Sequence, residues 1–243
     1  VIMRRFFVDS KNIIEETVYI TGSDVRHIRD VLRMQIGDKI ICVDGTGTGF
    51  TVSLTGLSGK EVTGKIESRE ALSTEAPVKI TLAQSVPKSD KMELIVRMCT
   101  ELGVHEIIPV VSERVVVQGD LLKKTTRWQR IAEEAAKQSG RTIVPALRPA
   151  EKFMALVSRL DRWDAALLPW EICRENTITA FLGKKMPGSL ILFIGPEGGY
   201  SHAEAETAKS KGAGLVTLGK RILRVETAAP AALTLIMNHF GEL

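Results

Sequence analysis

Little in this chain lends itself to redox, metal or disulfide chemistry. Its three cysteines, Cys42, Cys99 and Cys173, stand far apart, odd in number and inside apolar runs. That pattern excludes a disulfide framework and reads as reduced thiols in a cytoplasmic protein. The four histidines, His27, His105, His202 and His239, are scattered, with no Cys-x-x-Cys or His-Glu-x-x-His pair, so no metal site is expected. No Gly-x-Ser-x-Gly elbow offers a hydrolase nucleophile. The start, Val1 to Phe7, lacks the long apolar core of a signal peptide, and the longest apolar stretch, Ala228 to Met237, is too short to span a bilayer. No membrane association is expected, and no internal repeat or low-complexity segment occurs.

What is present is an ordinary globular composition over 243 residues, 44% hydrophobic and 26% charged, enough for a core without staples. The net charge, 33 − 29 = +4, is compatible with a nucleic-acid partner without requiring one. Basic residues gather between Lys123 and Arg148, where Lys123, Lys124, Arg127, Arg130, Lys137, Arg141 and Arg148 face only Glu133 and Glu134. A solvated helix face would look the same.

The chain divides by pattern. Residues 1–72 hold short β-prone runs (17–20, 39–43, 50–54, 61–66) separated by Gly, Asp and Ser turns, as in a small barrel. One helix, 23–33, interrupts them, with Val25, Ile28, Val31 and Leu32 on a buried stripe and Arg26, Arg29, Arg33 and His27 off it. A linker, 73–77, follows. From residue 78 to 243 strands alternate with helices: strands at 78–86, 106–111, 164–168, 189–194 and 215–218, helices at 90–102, 126–139, 153–160, 201–211 and 227–240. Alternation of this kind predicts an α/β domain with a mainly parallel sheet. Asp90 is the expected N-cap of its helix, and Ser201 with Glu204 matches a capping box.

Two glycine-rich stretches are not nucleotide loops. Gly45-Thr46-Gly47-Thr48-Gly49 precedes a strand and reads as a hairpin turn. Gly214 to Lys220 has P-loop spacing, but Arg221 stands where Ser or Thr must bind magnesium, and its middle is an apolar strand. The informative loop is Gly195-Pro196-Glu197-Gly198-Gly199-Tyr200, between an apolar strand and a capped helix. Ligands of open α/β sheets bind beyond the carboxyl ends of strands, where this loop sits. Its glycines let backbone approach a ligand closely, with Gly198 the position where a side chain is expected to exclude it. Leu218 to Pro230 joins the last strand to the last helix, with Glu226 or Thr227 as cap, and Pro169-Trp170-Glu171 ends another strand. Arg224 and Glu226 beside that helix could simply pair.

With these loops in view, the chain resembles the 16S ribosomal RNA uracil-N3 methyltransferases of the SPOUT superfamily. The resemblance runs nearly end to end, through Met3-Arg4-Arg5-Phe6-Phe7-Val8, His27 to Arg33, Gln84-Ser85-Val86-Pro87-Lys88, Lys91-Met92-Glu93, Glu101-Leu102-Gly103-Val104, Arg127-Trp128, Glu134 to Arg141, Ile194 to Gly199, and Leu218-Gly219 with Ile222 to Ala228. Val1 and Ile2 precede it and carry no role. The Asn-centred motif of ribose-methylating relatives is missing, which favours a base as the target.

The resemblance implies a PUA-like N-terminal barrel (1–72) and a SPOUT α/β domain (78–243) with a C-terminal trefoil knot, acting as a homodimer in the cytoplasm. It implies S-adenosylmethionine as cofactor, held by Leu168, Pro169, Gly195, Pro196, Glu197, Gly198, Gly199, Leu218, Gly219, Ile222, Leu223, Arg224, Thr227 and Ala228. The partner would be 16S ribosomal RNA, free or in the assembled small subunit. Arg4, Arg5, Arg26, Arg29, Arg33, Lys88, Arg127, Lys137 and Arg141 are the expected RNA contacts. Uridine N3 keeps its proton at neutral pH, so its methylation needs a proton acceptor or a stabiliser of the anion on the flanking carbonyl oxygens. Glu197 is the candidate acceptor and Arg224 the candidate stabiliser. The alternatives are a SPOUT methyltransferase for another RNA or base position, and an RNA-binding assembly factor without catalysis.

Overall fold

The computed structural model describes residues 4–71, 74–116 and 119–243, so Val1, Ile2 and the first linker residue, Ser73, lie outside the described residues. The chain forms two compact units, one of Val1–Glu75 with Ala136–Val144, the other of Ala76–Ala135 with Pro145–Leu243. Residues 136–144, read above as part of the α/β domain, therefore pack with the N-terminal unit. The reason is visible in their bonds: Thr142 donates its backbone N–H to Thr74 Oγ1 at 3.1 Å, and Thr46 bridges Ile143.

In the first unit, β1 (Arg5–Phe7), β2 (Ile13–Ile14), β3 (Thr17–Thr21), β4 (Lys39–Val43), β5 (Thr48–Leu57) and β6 (Glu61–Ala71) make one sheet in the order β1-β4-β5-β6-β3-β2. The sheet is open at β1 and β2, a half-barrel where a barrel was expected. Alternate residues face the core: Val18 and Ile20 on β3, Ile40 and Cys42 on β4, Val52 and Leu54 on β5. Burial pushes the Cys42 thiol up to about 12, with Asp24 adding to the rise, so it acts as a small apolar residue.

The expected helix at 23–33 starts as α1 (Ser23–Arg26) but widens into a π turn over His27–Val31 and stops at Arg33, whose φ is 52°. The wider turn rotates Val31 off the stripe predicted by a 3.6-residue period. Val31 is 67% exposed while Val25 and Ile28 remain buried.

The second unit is built on seven parallel strands. In sequence they are β7 (Lys79–Ser85), β8 (Glu106–Val111), β9 (Ala146–Leu147), β10 (Glu151–Lys152), β11 (Ala165–Pro169), β12 (Ser189–Ile194) and β13 (Gly214–Val216). Their order is β10-β8-β7-β12-β11-β13, with β9 also on β8. β12 reads as a continuous apolar run after Ser189, and every residue of β7 but Lys79 is buried, including the polar Thr81, Gln84 and Ser85. The helices are α2 (Lys91–Glu101), α3 (Leu121–Ser139), α4 (Phe153–Val157), α5 (Ile178–Leu182), α6 (His202–Ser210) and α7 (Val225–His239). α4 and α6 pack with Ala83, Ile191 and Phe193 of the sheet, while α2 packs on α7.

Local chemistry explains the ends. The capping box of α6 forms as expected, Ser201 Oγ accepting from Glu204 N–H and Glu204 from Ser201 N–H. Asp90 makes no side-chain cap on α2, and α7 begins two residues before Thr227, with Arg224 as N-cap. α3 begins five residues earlier than expected, and β1, β2, β9, β10 and α5 are too short to carry a periodic signal. Among the described residues no helix is long and apolar enough to cross a membrane.

Candidate active site at the switch point of the sheet

Parallel strands deliver all their carboxyl ends to one edge, so the loops after β7, β8, β11, β12 and β13 meet there. From β7 the chain proceeds outward to β8, whereas β12, β11 and β13 build the other wing. The strand order thus reverses between β7 and β12, where ligands of open sheets bind.

A cavity of about 460 Å³ lies there, within the size range of small-ligand sites. Its apolar wall includes Pro169, Trp170, Ile194, Leu218, Ile222 and Ala228, and its charges come from Lys91, Glu171, Arg174, Glu197, Arg221 and Arg224. The Trp170 indole N–H is buried and has no hydrogen-bond partner among the described residues.

Backbone crowding concentrates on two glycines of the loop. A Cβ on Gly195 would sit 3.2 Å from Gly199 Cα, and one on Gly199 (φ 64°) would sit 2.9 Å from Glu171 Oε1. Gly198, singled out in the sequence, is less confined, since its Cβ would meet only the flexible Arg114 side chain at 3.3 Å. The loop is further held by Arg114 Nη1, which donates to the Gly198 carbonyl, and by Ser85 Oγ, which donates to the Tyr200 hydroxyl at 3.2 Å. Burial raises the Tyr200 phenol above its ordinary range, so it stays protonated.

Glu197 accepts from Lys88 N–H at 3.1 Å and from Lys91 Nζ at 3.0 Å. Burial pushes its carboxyl up, but the Lys91 ammonium and the backbone N–H donors outweigh that and hold it below its ordinary value. A carboxylate stabilised in its charged form is a weak base, which counts against Glu197 as the proton acceptor. Arg224 is exposed at the cavity and forms no salt bridge among the described residues; the carboxylates of Glu197 and Glu226 pair with Lys91 instead. The alternative in which Arg224 simply pairs with Glu226 is not what the structure holds, since Glu226 pairs with Lys91.

Of the expected cofactor residues, Pro169, Gly195 to Gly199, Leu218, Gly219, Ile222, Leu223, Arg224 and Ala228 line the cavity. Leu168 does not; it is fully buried in the core behind it, and Thr227 is exposed outside the lining. Lys91, Trp170, Glu171, Arg174, Tyr200 and Arg221 also line it, though none was among the expected cofactor residues. One signal for Lys91 was available. A cation at the first position of a helix opposes the dipole, and such a conflict marks a site with compensating charge.

The expected RNA contacts divide by unit. In the first, Arg4, Arg26 and Arg33 are exposed, and Arg29 donates to the Ser58 carbonyl at 3.0 Å. Arg5 donates to the Gly140 carbonyl, and Lys137 pairs with Asp24 at 3.2 Å. Arg141 is a correction: its side chain is only 4% exposed and its guanidinium is committed to Glu75, which makes it a structural residue. In the second unit Lys88 is exposed and Arg127 pairs with Glu93 at 2.9 Å on the surface. Among the described residues no cluster of His, Cys, Asp and Glu could hold a metal.

The model of an RNA methyltransferase domain matches residues 74–237, and that of an RNA methyltransferase PUA domain matches residues 20–67. The chain belongs to the RNA methyltransferase family. This methyltransferase is 38% identical to the ribosomal RNA small subunit methyltransferase E of Bacillus subtilis (strain 168), over 96% of each chain. It is 34% identical to the protein of that name from Synechocystis, over 96% of this chain and 76% of the relative. A crystal structure of the Neisseria gonorrhoeae protein of that name, bound to S-adenosyl methionine, superposes with a TM-score of 0.82 at 32% identity over 97% of both chains. A methyltransferase of Legionella pneumophila with bound cofactor gives 0.84 at 29% identity, covering 98% of both chains. The fold class of the methyltransferase is accordingly a PUA-like N-terminal sheet with an α/β RNA methyltransferase domain, in whose parallel sheet β12 lies between β7 and β11.

Proposed function

We propose that this methyltransferase moves the methyl group of S-adenosylmethionine to N3 of one uridine in 16S ribosomal RNA, free or within the small subunit, as a cytoplasmic homodimer. The observation that carries this reading is the cavity itself. Backbone-rich loops after β11, β12 and β13 close on one space, and Arg224, a cation with no salt bridge among the described residues, stands at its edge.

The residues suit the cofactor. Gly195 and Gly199 leave no room for a Cβ and keep the loop tight with its backbone at the cavity, apolar side chains offer a wall for a purine, and the Trp170 N–H has no acceptor among the described residues. When bound, the cofactor supplies a strongly activated methyl group on a sulfonium. Alignment is then the main task of the protein. Uracil must leave its stack to present N3, which lies on its pairing edge. Arg224 would stabilise negative charge on the uracil carbonyl oxygens as the N3 proton passes to solvent water, which lowers the barrier without a strong base from the protein. Glu197, tied to Lys91, orders its loop. Arg4, Arg26, Arg29 and Arg33 of the first unit, with Lys88 and Arg127 of the second, engage phosphates.

Titration calorimetry with S-adenosylmethionine, without added metal, tests the reading. Binding of one equivalent per chain is expected; a folded protein that binds RNA and no cofactor would instead be an assembly factor.

A further inference from the structure

Lys91 is a cation at the disfavoured end of a helix. As the first residue of α2 it stands where unpaired backbone N–H groups already concentrate positive charge. Two carboxylates offset this. Lys91 Nζ lies 3.0 Å from Glu197 Oε1 and 3.7 Å from Glu226 Oε2. They belong to different elements, Glu197 to the glycine loop after β12 and Glu226 to the first turn of α7.

The Glu226 side chain is only 18% exposed, and its buried Oε2 has no hydrogen bond among the described residues. Among the described residues Lys91 is its salt-bridge partner. Without the ammonium, two carboxylates would face each other across the gap between the loops, and Arg224, two residues before Glu226, would lose its reference point.

We propose that Lys91 is a positioning residue for methyl transfer: its ammonium bridges Glu197 and Glu226, fixes the spacing of the glycine loop and the start of α7, and so holds Arg224 at the cavity. This rests on the reading of the cavity as the S-adenosylmethionine site. Partly exposed ion pairs add little to global stability, so the loss of Lys91 should fall on the spacing of the loops and not on unfolding.

The experiment compares wild type, K91M, K91R and E226Q by cofactor calorimetry, thermal unfolding and single-turnover methyl transfer at saturating cofactor. K91M should weaken cofactor binding and slow transfer, each roughly tenfold or more, the scale set by small misplacements of reacting groups. K91R should restore most of both, with unfolding midpoints near that of wild type. E226Q should weaken binding several-fold while thermal stability holds or rises, because a buried charge with an unsatisfied oxygen is removed. A folded K91M with wild-type affinity and rate would overturn the proposal, as would losses that merely track the folded fraction without rescue by K91R. Should K91M not fold, E226Q decides, and wild-type affinity and rate there overturn the proposal. Wild-type protein that fails to bind the cofactor would instead remove the functional reading, and this proposal with it.

Discussion

The buried carboxylate of Glu204 accepts a 2.9 Å hydrogen bond from the backbone N–H of Glu113, 91 residues away. The same carboxylate caps α6 through Ser201 N–H at 3.0 Å. One side chain thus fixes the start of a helix and the loop that carries Arg114, whose guanidinium holds the Gly198 carbonyl. Glu204→Ala leaves both N–H groups without this acceptor, and should destabilise by about 2–4 kcal/mol, the scale of two unsatisfied donors. Denaturant unfolding measures this, and cofactor affinity should fall with it. Glu204→Gln, which keeps one acceptor oxygen, should cost about half as much.

Gly199 and Gly198 should differ on substitution although they are neighbours. Gly199→Ala forces a side chain into left-handed backbone and against the Glu171 carboxylate, so cofactor binding should be lost. Gly198→Ala needs only a shift of the Arg114 side chain and should weaken binding several-fold at most. Calorimetry on both variants checks the order, and equal losses would place the close approach elsewhere.

Arg224→Ala should slow single-turnover methyl transfer about a hundredfold, the scale of losing one transition-state donor. Cofactor affinity and thermal stability should stay near wild type, because Arg224 forms no salt bridge among the described residues and its cap on α7 uses no side-chain bond. Loss of affinity in proportion to rate would remove it from the catalytic role.

These distinctions mark what the sequence could carry. The loop from Gly195 to Tyr200 and the segment around Arg224 were legible because glycine, an acidic residue and a capping signature stand in a row between a strand and a helix. Strands such as Ser189–Ile194 were legible from their apolar runs. The Lys91 bridge was not, since it joins positions 106 residues apart at one end and depends on strand order, which no local pattern reveals. The burial of Arg141 was equally hidden. Its basic neighbourhood looked like a solvated face, while Glu75, its partner, lies 66 residues back. The π turn at His27–Val31 escaped because a 3.6-residue period was assumed.

RNA binding should fall steeply with salt, as expected for a protein that displaces counterions from phosphates. Arg33→Glu, on an exposed turn of the first unit, should weaken RNA affinity and leave cofactor affinity unchanged. Arg141→Ala should act differently. It leaves Glu75 without its buried partner and should destabilise the first unit by about 3–5 kcal/mol, with RNA affinity falling only as folded protein is lost. Filter binding across salt concentrations, beside unfolding curves, separates the two.

The most direct test is a single-turnover reaction with methyl-labelled S-adenosylmethionine and either 16S ribosomal RNA or small subunits lacking the modification, followed by digestion to nucleosides. The expected result is label in 3-methyluridine at one position, lost in Arg224→Ala on the same timescale. Label on a ribose, on another base, or on no nucleoside despite cofactor binding would contradict the assignment of this cavity to uridine N3.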